Sequence, residues 1–292
     1  PKKLVSPASE KTADPVSLKR YKRILLTLSS LLSIGLIIGG LLITPLLRET
    51  KYIAIKRKQN KLLDSFGMTI PGTPDLVNFN RRLEEKGLSL GAPVFIRVFK
   101  REFELELWMM NKNKRYELFA TYPVCNWSGE LGPKLATGDK QAPEGFYWVD
   151  RSALNPFSRQ HRSFNLGFPN TYDRAYGRTG HSLMVHGGCS SIGCFAMTDQ
   201  VIDEIWSVIT SALDSGQKRF QVQVFPFRMT KDNLTRFSIP VWNEFWQNLK
   251  VGYDQFEADH LPPQVSVCVK SYAFSSAANA EEVGTSLVAQ CR

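Results

Sequence analysis

After residue 70, the apolar residues show two spacings along the chain, one typical of strands and one typical of helices. Apolar side chains alternate with acidic ones from Phe103 to Leu107, which predicts a half-buried strand. Further short apolar or alternating runs predict strands at 94–99, 116–124, 146–149, 183–185 and 220–224. A spacing of three and four residues predicts a helix beginning after Thr198 and another after Pro240. Helices and strands do not alternate regularly, so the pattern predicts a mostly β domain of the α+β class with peripheral helices, not a parallel βαβ sheet.

A long uncharged run precedes this domain. Residues 24–47 carry no charged side chain, and as a helix they would reach about 36 Å, enough to cross a hydrocarbon core of roughly 30 Å. The apolar region of a cleaved signal peptide is shorter, and Thr44-Pro45-Leu46-Leu47 is a poor cleavage site. The sequence therefore predicts a single uncleaved N-terminal transmembrane helix. Basic residues flank both ends, so charge does not decide its orientation.

These patterns divide the chain into five parts. A basic N-terminus occupies 1–23, the anchor 24–47, and a juxtamembrane stalk 48–71 that is helical over 51–63. A Pro- and Gly-rich break at 70–74 opens the folded domain, 72–273, and a small, polar tail follows at 274–292.

The net charge lies outside the folded domain. Residues 1–61 hold 13 of the 37 Lys and Arg but only 3 of the 27 acidic residues, so they carry the whole net charge of +10. A neutral domain has no broad field for a phosphate backbone, and nucleic acid is excluded as a partner. The basic excess is instead typical of a membrane flank.

Most of the candidate chemistry lies between His181 and Asp199, in a segment with two His, two of the five Cys and several Gly. One interpretation is a zinc site with the spacing H-x4-H-x2-C-x4-C, although it lacks a short Cys knuckle. A second is a disulfide between Cys189 and Cys194, with the glycines forming a tight turn. Five cysteines is an odd number, so in an oxidising compartment at least one stays unpaired within the chain.

The third interpretation is a catalytic pair of Cys194 and His186. A thiol with a pKa near 8.5 is only a few per cent ionised at neutral pH, so a cysteine nucleophile needs a base beside it. Small residues at 187, 188 and 193 would let the backbone approach closely, and would leave N–H groups near Cys194 for a developing oxyanion.

This segment resembles a known enzyme family. Ser191-Ile192-Gly193-Cys194 is similar to the S-x-G-C signature of the YkuD-type L,D-transpeptidases, and Val185-His186-Gly187 is similar to their upstream H-G element. The resemblance covers about residues 72–273 and includes Gly138-Asp139-x3-Pro143-Glu144-Gly145-Phe146-Tyr147. Other segments resemble the YafK-like branch: 164–174, 177–180, 226–230 and 245–253.

The resemblance implies a YkuD-like catalytic β-domain that needs no metal or organic cofactor. It implies an acyl-enzyme on Cys194 and His186 as base, oriented by the Gly187 carbonyl, with Gly193, Ser191 and Gly187 shaping the loop. The partners would be peptidoglycan stem peptides, with the domain in the periplasm, 1–23 in the cytoplasm and the anchor in the inner membrane. Arg174 and Arg178 are candidates for holding a carboxylate of the stem peptide.

The sequence departs from the usual family pattern at two positions. Ile192 replaces a His and Ala196 replaces an Arg, and the spacing from His186 to Cys194 is only eight residues. Both features agree with the YafK-like branch, which is similar to enzymes that cut the amide between diaminopimelate and a lysine of a peptidoglycan-bound lipoprotein. The expected reaction is transfer to an amine or hydrolysis. The alternatives are a papain-like amidase, in which Cys usually precedes His, and a non-catalytic peptidoglycan-binding tether.

Overall fold

The computed structural model describes residues 47–276. The predicted N-terminus 1–23, residues 24–46 of the predicted anchor and residues 277–292 of the predicted tail lie outside this range. Across 47–276, no helix combines the length and the apolar character needed to cross a bilayer. The second of two compact units begins at Tyr52, and the contacts below lie within its described part, residues 52–276.

The described residues form an α+β fold of two five-stranded sheets, a hairpin and peripheral helices. Helix α1 covers 47–65, and the other helices are α2 Phe79–Glu85, α3 Thr171–Ala175, α4 Asp199–Asp214, α5 Lys231–Arg236 and α6 Asn243–Asp259. The strands are β1 Val94–Phe99, β2 Glu104–Met110, β3 Tyr116–Pro123, β4 Asn126–Trp127, β5 Gly145–Asp150, β6 Leu154–Ser158, β7 His161–Asn165, β8 Met184–His186, β9 Phe195–Ala196, β10 Arg219–Phe225, β11 Gln264–Cys268 and β12 Ser271–Ser275. Because several helices are long, a larger share of the described residues is helical than the prediction of a mostly β domain implies.

The first sheet has the order β3-β2-β1-β10-β5 and is antiparallel except where β1 pairs with β10. Its central strand β1 is buried along its whole length, as expected for a strand covered on both faces. Helix α6 covers one face, where Phe256 packs on Phe95 and Tyr253 on Phe99.

The prediction of a half-buried β2 is wrong, because Glu106 is buried with the apolar side chains around it. Its carboxylate accepts hydrogen bonds from Arg97 of β1 at 2.9 Å and from Arg228 at 2.7 Å. Burial of a charge is tolerated when it is paired and hydrogen-bonded. An alternating pattern cannot reveal that a distant segment supplies the partners.

The second sheet has the order β4-β9-β8-β7-β6. It is antiparallel except for the parallel pair β8 and β9. Helix α4 is capped by Thr198, whose side chain accepts from the Val201 N–H. The helix contacts β7 of this sheet and β1 of the first, which explains why nine of its 16 residues are buried. The two sheets therefore share one core through α4.

Contacts at both ends of the predicted folded domain extend past its bounds. Within α1, Ile53 is buried in the main core and the Asn60 amide donates to the Val124 carbonyl, so this part of the predicted stalk packs on the domain. At the other end, β12 continues to Ser275 and Phe274 packs on Phe146, so the strand extends beyond residue 273. The hairpin of β11 and β12 was not predicted.

Candidate active site

The parallel pairing of β8 and β9 brings His186 and Cys194 together. Val185 lies opposite Phe195 and His186 opposite Ala196, so Cys194 precedes β9 at the level of Met184. The Met184 N–H donates to the Cys194 Sγ at 3.4 Å. Side chains two positions apart on a strand share a face. His186 and Cys194 therefore project from the same face of neighbouring strands, whose usual spacing is about 4.8 Å.

The His186 ring is held in one orientation by its own loop. Its Nδ1 lies 2.6 Å from the Gly187 carbonyl oxygen, which accepts only if Nδ1 carries the proton, leaving Nε2 as the basic nitrogen. The side chain is buried. Burial lowers the pKa of His186, and the bond to the Gly187 carbonyl partly opposes that change. The imidazole is therefore neutral near pH 7 and able to accept a proton.

Cys194 is a half-buried free thiol. Its Sγ accepts from the Met184 N–H and lies 3.7 Å from the Ser182 carbonyl oxygen, to which the thiol donates. Burial raises the pKa of Cys194, while the Met184 N–H and the positive charge of Lys134 act in the opposite direction. A thiol in this environment is largely protonated at neutral pH, so it needs a base such as His186 to react as a nucleophile.

Two serine hydroxyls fix the turn before the cysteine. The Ser191 hydroxyl donates to the Cys194 carbonyl at 2.7 Å. The Gly193 N–H, expected to be available to an oxyanion, donates instead to the Ser128 Oγ at 2.5 Å. Gly193 has φ +102°, and a side chain there would also crowd Leu183. Ser128 was missed by the sequence analysis, because it lies in the loop after β4 and no motif links it to the cysteine segment.

The competing interpretations of the segment are not supported by its geometry. Cys189 forms a disulfide with Cys125, with a Cα–Cα distance of 5.3 Å, so the expected alternative of a Cys189–Cys194 disulfide is wrong. The four-ligand zinc set is not assembled either, because Cys189 is oxidised and His181 is exposed with its Nδ1 on the Ser182 hydroxyl. Cys268 is also disulfide-bonded.

The two candidate arginines lie in different environments. Arg178 is buried, donates to the Asp173 carboxylate at 2.8 Å and lies over the ring of Phe245. It lines a cavity of about 390 Å³. Arg174 is exposed and donates to the Pro169 carbonyl and the Thr171 hydroxyl. A substrate-binding role for either arginine stays a prediction.

Comparison with known proteins identifies the family. The chain is 47% identical over 200 residues to "Putative L,D-transpeptidase YafK" of Escherichia coli K12, an alignment that covers 68% of this chain and 81% of the relative. The protein of the same description from E. coli O157:H7 gives the same values. No family model matches the chain.

The solved structures that match the chain share less sequence with it. The helical cell shape determining protein Pgp2 from Campylobacter jejuni is 18% identical with a TM-score of 0.38, over 62% of this chain and 67% of that one. Bdellovibrio bacteriovorus Bd1075 is 16% identical with a TM-score of 0.34, over 58% and 62%. On the strength of the sequence identity to the E. coli proteins, the chain belongs to the L,D-transpeptidase family and is related to its YafK-type members.

Proposed function

We propose that this chain is a cysteine enzyme that acts on diaminopimelate-containing peptidoglycan through an acyl-enzyme on Cys194. Family membership supports the substrate class. The observation that carries the chemistry is the placement of a free thiol and a neutral, oriented imidazole on one face of adjacent strands. The bond of Nδ1 to the Gly187 carbonyl leaves Nε2 as the base, which is the arrangement that nucleophilic catalysis by a cysteine requires.

The reaction proceeds in two steps. The Nε2 of His186 takes the proton from the Cys194 thiol, and the thiolate attacks the amide carbonyl of a stem-peptide residue. The tetrahedral intermediate collapses as the C–N bond breaks, and the amine leaves with the proton held by His186. Water or the amine of a second stem then attacks the thioester, His186 removes its proton, and the thiol of Cys194 is regenerated.

Two outcomes of the second step correspond to two activities. Attack by an amine makes a new cross-link, and attack by water makes the protein an amidase. We favour hydrolysis that detaches a peptidoglycan-bound lipoprotein, because Ile192, Ala196 and the short spacing from His186 to Cys194 agree with the YafK-like pattern. A non-catalytic tether is the alternative.

We also propose that the chain is a single-pass protein of the inner membrane with its folded domain in the periplasm. The uncharged run 24–47 supports the anchor. The disulfide between Cys125 and Cys189 supports the periplasmic side, since disulfides persist in oxidising compartments. Two C-terminal fusions of the full chain test this placement, one to a reporter enzyme active only in the periplasm and one to a reporter active only in the cytoplasm. Activity of the periplasmic reporter is expected, and activity of the cytoplasmic reporter alone would refute the proposal.

Digestion of intact sacculi tests the activity. Diaminopimelate-type sacculi with and without bound lipoprotein are incubated with the purified protein, and the released fragments are identified by mass spectrometry. Release of lipoprotein without new cross-links supports the amidase, and new cross-links between diaminopimelate residues support the transpeptidase. Cys194→Ala and His186→Gln should lose turnover while retaining the fold. Full activity of Cys194→Ala would refute the mechanism. If the wild type and both variants bind sacculi but release no product, the non-catalytic tether is favoured.

A further inference from the structure

Lys134 is a buried cation near the candidate active site that the sequence analysis did not single out. It lies in the loop between β4 and β5, and its side chain is 5% exposed. Its ammonium donates to the Ala136 carbonyl at 2.8 Å and to the Asp139 carboxylate at 2.5 Å. Lysine is rarely buried this deeply unless the position of its charge matters or the charge is paired.

The paired carboxylate is itself shared among several donors. Asp139 also accepts from the backbone N–H groups of Leu135 and Ala136 through Oδ2 and from that of Gln141 through Oδ1. Burial raises the pKa of Asp139, but these bonds and the one from Lys134 outweigh it, so the net pKa is lowered and the carboxylate stays ionised. Asp139 is therefore a fixed counter-charge beside the Lys134 ammonium, and its removal would leave the lysine charge unopposed.

The Lys134 side chain packs against the backbone segment that contacts the cysteine. The lack of a side chain at Gly180 leaves space for the lysine, because a Cβ at Gly180 would lie 2.6 Å from the Lys134 Cε and 3.5 Å from its Nζ. Two residues later the Ser182 carbonyl accepts the Cys194 thiol, and two further on the Met184 N–H donates to its sulfur. The Thr179 N–H donates to the Leu135 carbonyl at 3.1 Å, which ties the two segments together.

Among the charged side chains of the described residues, Lys134 is distinguished by its position beside the segment that contacts Cys194. Burial raises the pKa of the Cys194 thiol, and the positive charge of Lys134 acts in the opposite direction. His186 on β8 is the other titratable neighbour, and it is neutral at pH 7 because of its burial. His181 on the segment between them is exposed and bonded to the Ser182 hydroxyl. The counter-charge on the lysine side is Asp139.

We propose that Lys134 is a positioning residue of the cysteine site, whose buried side chain packs on the backbone at Gly180 and places a positive charge beside the segment 180–184 that contacts Cys194. The assignment rests on the proposed function of Cys194 as nucleophile. The proposal gives the β4–β5 loop a role in the site. Asp139, as the counter-charge of Lys134, would weaken the effect of the lysine charge on the Cys194 sulfur.

The test measures alkylation of Cys194 by iodoacetamide from pH 6 to 10 in the full chain, with Cys194→Ala giving the background from other thiols. Lys134→Met should move the midpoint of the pH profile upward and slow the reaction at pH 7 by about three- to tenfold, since one pKa unit is a tenfold change in thiolate. The rate at high pH should stay the same. Lys140→Met, an exposed lysine of the same loop, is the matched control and should change nothing.

A second variant protects the test against simple disruption of the loop. Asp139→Asn removes the counter-charge, so its midpoint should move downward and its rate at pH 7 should rise. Disruption of the loop would instead slow both variants at every pH. The inference is overturned if the midpoint of Lys134→Met is unchanged, or if the two variants shift in the same direction. The readout needs no peptidoglycan, so opposite shifts with inactive protein on sacculi would refute the proposed substrate and leave the role of Lys134 standing.

Discussion

Removal of the disulfide between Cys125 and Cys189 should cost the protein a large part of its stability. The bridge joins the segment between β3 and β4 to the loop after β8 across a sequence separation of 64, and both cysteines are buried. In the chain-entropy model, a closed loop of this length constrains the unfolded chain by about 4 kcal/mol. A change of that size would lower the melting temperature of a domain of this size by roughly 8–16 °C.

Urea unfolding of the Cys125→Ala/Cys189→Ala double variant measures this cost. Substitution is preferable to a reducing agent because Cys268 is also disulfide-bonded. If the bridge acts on the unfolded chain, the midpoint should fall and the m value should rise, since the unfolded state becomes more expanded. Cys194→Ala is the control, because it removes a cysteine without opening a bridge. A double variant with the wild-type midpoint and m value would refute the reasoning.

Three further perturbations have outcomes that follow from the site. Burial lowers the pKa of His186, so the imidazole should stay neutral, and kcat/KM for sacculus digestion should stay high, until the pH falls below about 6.5. An acid limb of the kcat/KM profile with its midpoint at or above that pH would contradict a buried neutral base. Ser128→Ala removes the acceptor of the Gly193 N–H and should lower turnover by roughly tenfold with the melting temperature nearly unchanged, whereas exposed Ser89→Ala should alter neither. Glu144→Gln leaves the fully buried Lys100 ammonium without its counter-charge and should cost on the order of 3–5 kcal/mol in urea unfolding; a loss below about 1 kcal/mol would show that the pair is dispensable.

Local patterns were sufficient for the elements that position the site. The apolar run ending at His186 predicted β8, and the capped amphipathic segment after Thr198 predicted α4, both of which the structure contains. Strand alternation and helix periodicity depend on neighbours within a few residues, so the sequence alone carries them. The same locality explains the failure at β2, where Glu106 is buried by partners on β1 and after β10.

The composition of the cysteine site was only partly accessible from sequence. His186, Gly187, Ser191, Gly193 and Cys194 lie within nine residues, so their chemistry could be inferred as a unit. Three further residues come from the loops on either side of β4: Cys125, Ser128 and Lys134. Each contacts a residue between Gly180 and Gly193 that lies 46 to 65 positions further along the chain. No spacing rule connects residues so far apart.

The sequence by itself therefore determined the class of elements and the family, and it predicted a candidate nucleophile with its base, because these are properties of short segments and of their motifs. The tertiary structure decided that Cys125 pairs with Cys189, that Ile53 is buried in the main core, and that Ser128 and Lys134 contact the backbone near Cys194, at Gly193 and Gly180 respectively. These depend on how the two sheets and α4 close on one core, where burial brings charges and thiols from distant segments into contact. The pKa values of these groups depend on that environment. The same thiol, carboxylate or ammonium in an extended chain would be solvated and have its ordinary pKa.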